Sequence, residues 1–179
     1  KAFELIQKAA DKGDASAQNN LGVMYQQGVG IQKDSVKAVE LFRKSAEQGN
    51  AQAQYNLAIR YELGQGVPRD DSKAFEWYLK AAISGFEPAQ AALGMVYFLG
   101  RGTQRDFVLA YAWTNIAASA GDADGVSQRD NLDHALLPDV IAEAQRLSSG
   151  WKKGTSLVRG KNSSTTANDQ QTANDGLRK

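Results

Sequence analysis

Three stretches of this chain superimpose without a gap. Ala15-Ser16-Ala17-Gln18 recurs as Ala51-Gln52-Ala53-Gln54 and again as Glu87-Pro88-Ala89-Gln90, each copy 36 residues after the last. A fixed period of this size marks a stack of supersecondary units, none of which can bury its apolar face alone. Each unit packs on its neighbours, so the surface-to-volume rule for globular domains does not bound such a chain. What a stack offers is surface. The repeat therefore points first to an interaction module.

Each copy reads as two helices. Helix A carries Ala17, Leu21 and Tyr25, then Ala53, Leu57 and Tyr61, then Ala89, Leu93 and Tyr97. A spacing of four keeps each set on one stripe, and the tyrosines extend the stripe while offering a hydroxyl at its edge. The residue after the leucine is Gly22, Ala58 or Gly94. Alanine would be penalised at positive φ, so small size is the requirement there. The turn that follows holds Gly28 and Gly30, Gly64 and Gly66, or Gly100 and Gly102. Glycine in every copy points to positive φ at a helix end. Asp34, Asp70 and Asp106 stand as N-caps of helix B.

Helix B carries Ala38, Leu41, Phe42, Ser45 and Ala46, with Ala74, Trp77, Tyr78, Ala81 and Ala82 in the second copy. The third has Ala110, Trp113, Ala117 and Ala118. Trp77 and Trp113, in line with Leu5 and Leu41, are expected to be locked in the core between helices. Gly13, Gly49, Gly85 and Gly121 close the B helices, and Asp14, Asn50 and Asp122 cap the next. Phe86 interrupts that pattern, and Pro88 presets the first turn in compensation.

The domain reading follows. Residues 1–14 are a partial repeat with Ala2, Leu5, Ile6, Ala9 and Ala10 in register, so the chain reads as a fragment. Residues 15–50, 51–86 and 87–122 are whole repeats, and 123–151 form a degenerate capping unit with Arg129 and Asp133 at the Leu and Tyr positions. A last helix from Pro138 turns Val140, Ile141, Ala144, Leu147 and Trp151 inward. A polar end unit is what keeps an array soluble. Residues 152–179 lose all aliphatic periodicity and are expected to be a disordered tail.

These residues resemble the Sel1-like repeat family, a relative of the tetratricopeptide repeat. The family pattern runs A-x-A-Q-x-x-L-G-x-x-Y-x-x-G-x-G, an Asp, then K-A-x-x-W-[YF]-x-K-A-A-x-x-G. Ala51 to Gly85 fits nearly throughout, departing at Ala58, and Ala144 to Trp151 is similar to the end of many bacterial members. The resemblance covers residues 1–151 and implies an all-α, right-handed α-α superhelix that binds a protein or peptide as an adaptor. A bacterial periplasmic or secreted setting is favoured over the cytoplasm, with any export signal upstream of Lys1.

Composition closes off most chemistry. The chain has 21 basic and 20 acidic side chains, with a net charge of −3 over residues 1–151 and +4 over 152–179. That is no footprint for nucleic acid. There is no Cys, hence no disulfide, thiolate nucleophile or Cys-based metal site. No apolar run approaches the ~18 residues that span a bilayer. His134 is the single His, too little for a zinc site or a Ser-His-Asp relay. The Gly-x-Gly turns follow a helix rather than a strand, which argues against a phosphate loop.

Ser149-Gly150-Trp151-Lys152 matches the S-x-x-K motif of serine β-lactamases, a label that some Cys-rich relatives carry, but no S-D-N or K-T-G partner accompanies it. A β-lactamase-like hydrolase is the alternative reading. No catalytic residue, cofactor or metal is expected, and the oligomeric state is not legible. Lys152, Lys153, Arg159 and Lys161 read as charges on a solvated linker.

One face of helix A remains. A step of two residues rotates about 200°, so Asn19, Val23 and Gln26, then Tyr55, Ile59 and Glu62, then Ala91, Met95 and Phe98 lie opposite the packed stripe. In tetratricopeptide-like stacks this face lines the concave groove. The candidate partner-binding residues are Asn19, Val23, Tyr55, Ile59, Glu62, Met95 and Phe98, apolar or amphipathic where solvent is expected. Two readings stay open: a groove for a protein or peptide, or packing between successive A helices. A structural spacer carrying the tail is a third.

Overall fold

The structure, a computed structural model, describes residues 2–159, which form nine α-helices and no strand. They are α1 (Ala2–Asp11), α2 (Ala15–Gln27), α3 (Ser35–Glu47), α4 (Ala51–Leu63), α5 (Asp71–Ile83), α6 (Glu87–Leu99), α7 (Phe107–Ser119), α8 (Ala123–Ala135) and α9 (Pro138–Ser149). The chain divides into two compact units, the first ending at Phe86 and the second beginning at Glu87.

Local rules set the helix ends. Asp34, Asp70 and Asp106 accept from the backbone N–H three residues on, at 2.9, 2.9 and 3.0 Å. Asp14, Asn50 and Asp122 do the same at 2.7, 2.9 and 2.7 Å. Each bond satisfies a first-turn donor that has no partner within its own helix. The far ends of α1 to α7 close on glycine in the left-handed region, whereas α8 ends on extended Leu136 and α9 on Gly150 at φ −89°. Gly66, with φ 74°, also lies so close to the start of α3 that a Cβ there would overlap the Ser35 carbonyl.

Within unit 1, α2 pairs with α3 and α4 with α5, while α3 packs on α4 and α1 on α2. Helix A approaches helix B closely because the residue after the leucine is small. A Cβ at Gly22 would come within 2.8 Å of the Phe42 ring. Leu21, Phe42 and Leu57 are buried. The glutamine of each Ala-x-Ala-Gln run ties its helix to the preceding one: Gln18 Nε2 donates to the Ala10 carbonyl (3.3 Å) and Gln54 Nε2 to Ala46 (3.1 Å). Ser45 adds a bond to the Ala15 carbonyl at 2.6 Å. Carbonyls in a helix's last turn lack i+4 partners; those of Ala10 and Ala46 accept from Gly13 and Gly49 N–H and take a second donor from the glutamine of the next helix.

In unit 2, α7 is contacted by α6, α8 and α9. Its core is built on Phe107, Val108, Tyr111, Leu132 and Val140. Gly94 is held small by Thr114, whose methyl would lie 2.5 Å from a Cβ there. Beyond α7 the chain continues as α8 and α9, with Pro138 in the first turn of α9 and Ala144 fully buried. Asp133, at the degenerate tyrosine position, accepts from the Tyr111 hydroxyl at 2.7 Å.

Two expectations are corrected. Trp113 is 1% exposed and meets Trp151 edge-on with ring centroids 6.0 Å apart, but Trp77 is only half-buried, with the Lys80 ammonium 4.0 Å over its ring. Leu5, in the same line, is 68% exposed and Leu41 is half-buried. Register puts these side chains on one stripe, whereas burial of Trp113 comes from α9 and Trp151.

The second correction concerns the tail. Residues 152–159 carry no helix, and 152–156 are exposed, yet Leu157 and Arg159 contact the helices of unit 2. Trp151 Nε1 donates to the Thr155 carbonyl at 2.9 Å, and Gly154 turns the chain at φ 91°. Leu157 then packs on the core cluster, and Arg159 pairs with Glu143 and Asp106. Arg159 is therefore no linker charge. The expected disorder of residues 160–179 lies outside the described residues.

Candidate partner-binding face

The residues opposite the packed stripe of helix A separate into three groups. Val23 and Ile59, on α2 and α4 of unit 1, are half-buried with no polar atom of their own. Tyr55 and Glu62 are also half-buried but tied to neighbours. The Tyr55 ring lies 5.4 Å from Phe86, edge-on, and 5.8 Å from Tyr78. Tyr78 in turn donates its hydroxyl to Glu62 at 2.6 Å. Burial raises the Tyr78 pKa well above the ordinary phenol value, and the hydrogen bond to Glu62 raises it further.

Asn19 corrects the expectation of solvent. It is 2% exposed, and its amide oxygen accepts from Asn56 Nδ2 at 3.0 Å. Asn56 sits on α4, so this position belongs to the boundary between successive A helices. A buried amide needs such a partner. In unit 2, Met95 and Phe98 are half-buried and Ala91 is 2% exposed. Phe98 rests on the core, its ring 5.4 Å from Phe107 at 58°. In unit 1 these residues are aliphatic, bounded by Tyr55 and Glu62; in unit 2 they are Ala91, Met95 and Phe98.

Beside this face lies a residue that the periodicity does not single out. Arg60 is 6% exposed. Its Nη1 donates to Gln65 Oε1 at 2.6 Å, and the Gln26 amide, turned with its oxygen inward, accepts from Nη1 and Nη2 at 2.6 and 3.0 Å. Burial lowers the Arg60 pKa, since these partners are neutral amides. The available signal was a charge where the other copies have Met24 and Val96.

The remaining candidates are placed simply. Ser149 is exposed at the end of α9 and donates its hydroxyl to the Arg146 carbonyl at 3.0 Å, while Lys152 is exposed. Among the described residues no group of three or more His, Cys, Asp and Glu is arranged to hold a metal ion. No described helix is long and apolar enough to cross a membrane.

Capped helices of matched length, paired through small residues and joined copy to copy by glutamine bonds, define an α-α repeat protein of the kind that serves as a scaffold. More narrowly, the Sel1 repeat family model matches residues 1–14, 15–50, 51–86 and 87–122, and the chain belongs to that family.

Solved structures agree. A protective antigen of uropathogenic Escherichia coli with an SLR fold, c5321, is 33% identical with a TM-score of 0.77. That match covers 90% of this chain and 38% of the antigen. A Sel1 repeat protein from Oxalobacter formigenes is 35% identical with a TM-score of 0.67, over 73% of this chain and 98% of that one. Cysteine rich protein B of Helicobacter pylori, 21% identical over 71% of this chain and 96% of its own with a TM-score of 0.55, shares the fold. No curated protein sequence matches.

Proposed function

We propose that the chain is a non-enzymatic scaffold that holds a protein or peptide on the helix-A face of unit 1, through Val23, Tyr55, Ile59 and Glu62; the helix-A face of unit 2, taken by itself, offers Met95 and Phe98. Sel1 repeats are typically protein-interaction scaffolds, which is the broad support. The observation that carries the finer reading is the partial exposure of Val23 and Ile59, two β-branched side chains at equivalent positions of successive copies. The opposite stripe buries Leu21 and Leu57 to 1% and 0% exposure. A face that served only packing would be sealed as that stripe is. Apolar area left in water is a driving force held for a partner.

The test uses a photo-crosslinking residue placed at position 23 or 59, with position 36, an exposed valine on α3, as control. A discrete adduct from 23 and 59 but not from 36 is the expected result. Ile59→Ser should abolish the adduct at 23 while moving stability by no more than about 1 kcal/mol. Unfolding by Ile59→Ser would place the face in the core and overturn the reading.

A further inference from the structure

In unit 1 a lysine of helix B lies over the tyrosine that ends the helix-A stripe, and in the second copy it also pairs with the aspartate that caps helix B. Lys37 Nζ lies 5.1 Å from the Tyr25 ring centroid. Lys73 Nζ lies 5.5 Å from that of Tyr61 and 3.2 Å from Asp70. In unit 2 the corresponding residue is Leu109, and the cation arrives from 53 residues beyond the aspartate. Arg159 Nη1 is 3.2 Å from Asp106, and its Nε and Nη2 meet the two oxygens of Glu143 at 3.1 and 3.2 Å. This is the forked geometry by which a guanidinium reads a carboxylate, for which an ammonium is no substitute.

Two residues earlier, Leu157 packs on the core cluster, while Val158 between them is 76% exposed. Among the described residues no backbone–backbone hydrogen bond ties Ser156, Leu157 or Val158 to a helix. A cavity of about 380 Å³, walled by Tyr97, Thr103, Asp106 and Arg159 among others, remains open beside the guanidinium. The segment is attached by alternate side chains, one apolar and one charged, which is how short linear segments are read by a folded partner.

We propose that unit 2 carries a binding site for a peptide segment with an aliphatic residue two positions before an arginine. Residues 157–159 are its resident ligand, and a partner segment of the same chemistry displaces them. Leu157 and Arg159 are the two anchors. Asp106 and Glu143 select the guanidinium. The site shares none of the residues proposed for the helix-A face, so either reading can fail alone.

The full chain carrying Arg159→Ala tests this, with a fluorescein-labelled peptide of residues 152–162 as probe. The variant should bind the peptide saturably and at least tenfold more tightly than the wild-type chain, whose own segment competes. Adding Glu143→Gln or Asp106→Asn should remove binding, the latter while keeping the helix cap, since asparagine caps as well as aspartate. A peptide with alanine in place of Leu157 or Arg159 should bind at least tenfold more weakly. Absence of saturable binding, or equal binding by the arginine-free peptide, would overturn the proposal. So would loss of the variant's cooperative melt, which would make the segment part of the fold. A wild-type dimer that dissociates on Arg159→Ala would name a second copy as the occupant and overturn it too.

Discussion

Arg60 stands where the neighbouring copies have Met24 and Val96, and among the described residues its guanidinium Nη atoms donate to the amide oxygens of Gln65 and Gln26. A buried charge without a carboxylate carries a desolvation cost that neutral partners offset in part. Arg60→Met should therefore raise stability by about 1 kcal/mol, read as a higher urea midpoint. A fall would show that the amide bonds outweigh desolvation. The two tryptophans of helix B should separate sharply: Trp113→Ala should cost ~3–5 kcal/mol, and Trp77→Ala about 1 kcal/mol or less. Equal losses would mean that exposure is a poor guide here.

The same pair shows what could not be read ahead. Trp77 and Trp113 are one letter at one register, and only α9 and Trp151 distinguish them. Asn19 was misplaced for a similar reason, because its partner Asn56 lies 37 residues away. The candidate face was legible as a direction on helix A, not as a degree of exposure.

At the scale of elements, legibility was high, because caps act over three residues and need no knowledge of the rest of the chain. All six aspartate or asparagine caps expected from the repeat make their bonds. Asp34→Ala should cost about 1 kcal/mol and Asp34→Asn close to none, measured by thermal denaturation. The turns allow a finer contrast. Gly49 has φ 89° with open space where a Cβ would go, so Gly49→Ala should cost only backbone strain, about 1–2 kcal/mol. Gly66→Ala adds overlap with the Ser35 carbonyl and should cost more. Equal costs would mean that the turn yields freely.

The whole molecule should respond to alkali. Tyr78, Tyr97 and Tyr111 all have raised pKa values, burial being the largest cause of each, with Glu62 and Asp133 hydrogen bonds adding at Tyr78 and Tyr111. The unfolded chain then loses phenolic protons from about pH 10 while the folded chain keeps them, so stability falls as pH rises past that value. Tyr78→Phe should shallow the fall in melting temperature above pH 10. An unchanged slope would assign the loss elsewhere.

The glutamine ties reach back eight residues to the helix before. Deleting residues 51–86 places Gln90 eight residues past Ala46, as Gln54 was, and the shortened chain should keep a cooperative helical melt. If it does, misaligned recombination between copies would add or remove a whole repeat and keep the glutamine tie at the new junction. A lineage could then change the length of such a protein in one mutational step, with no unfolded intermediate for selection to discard.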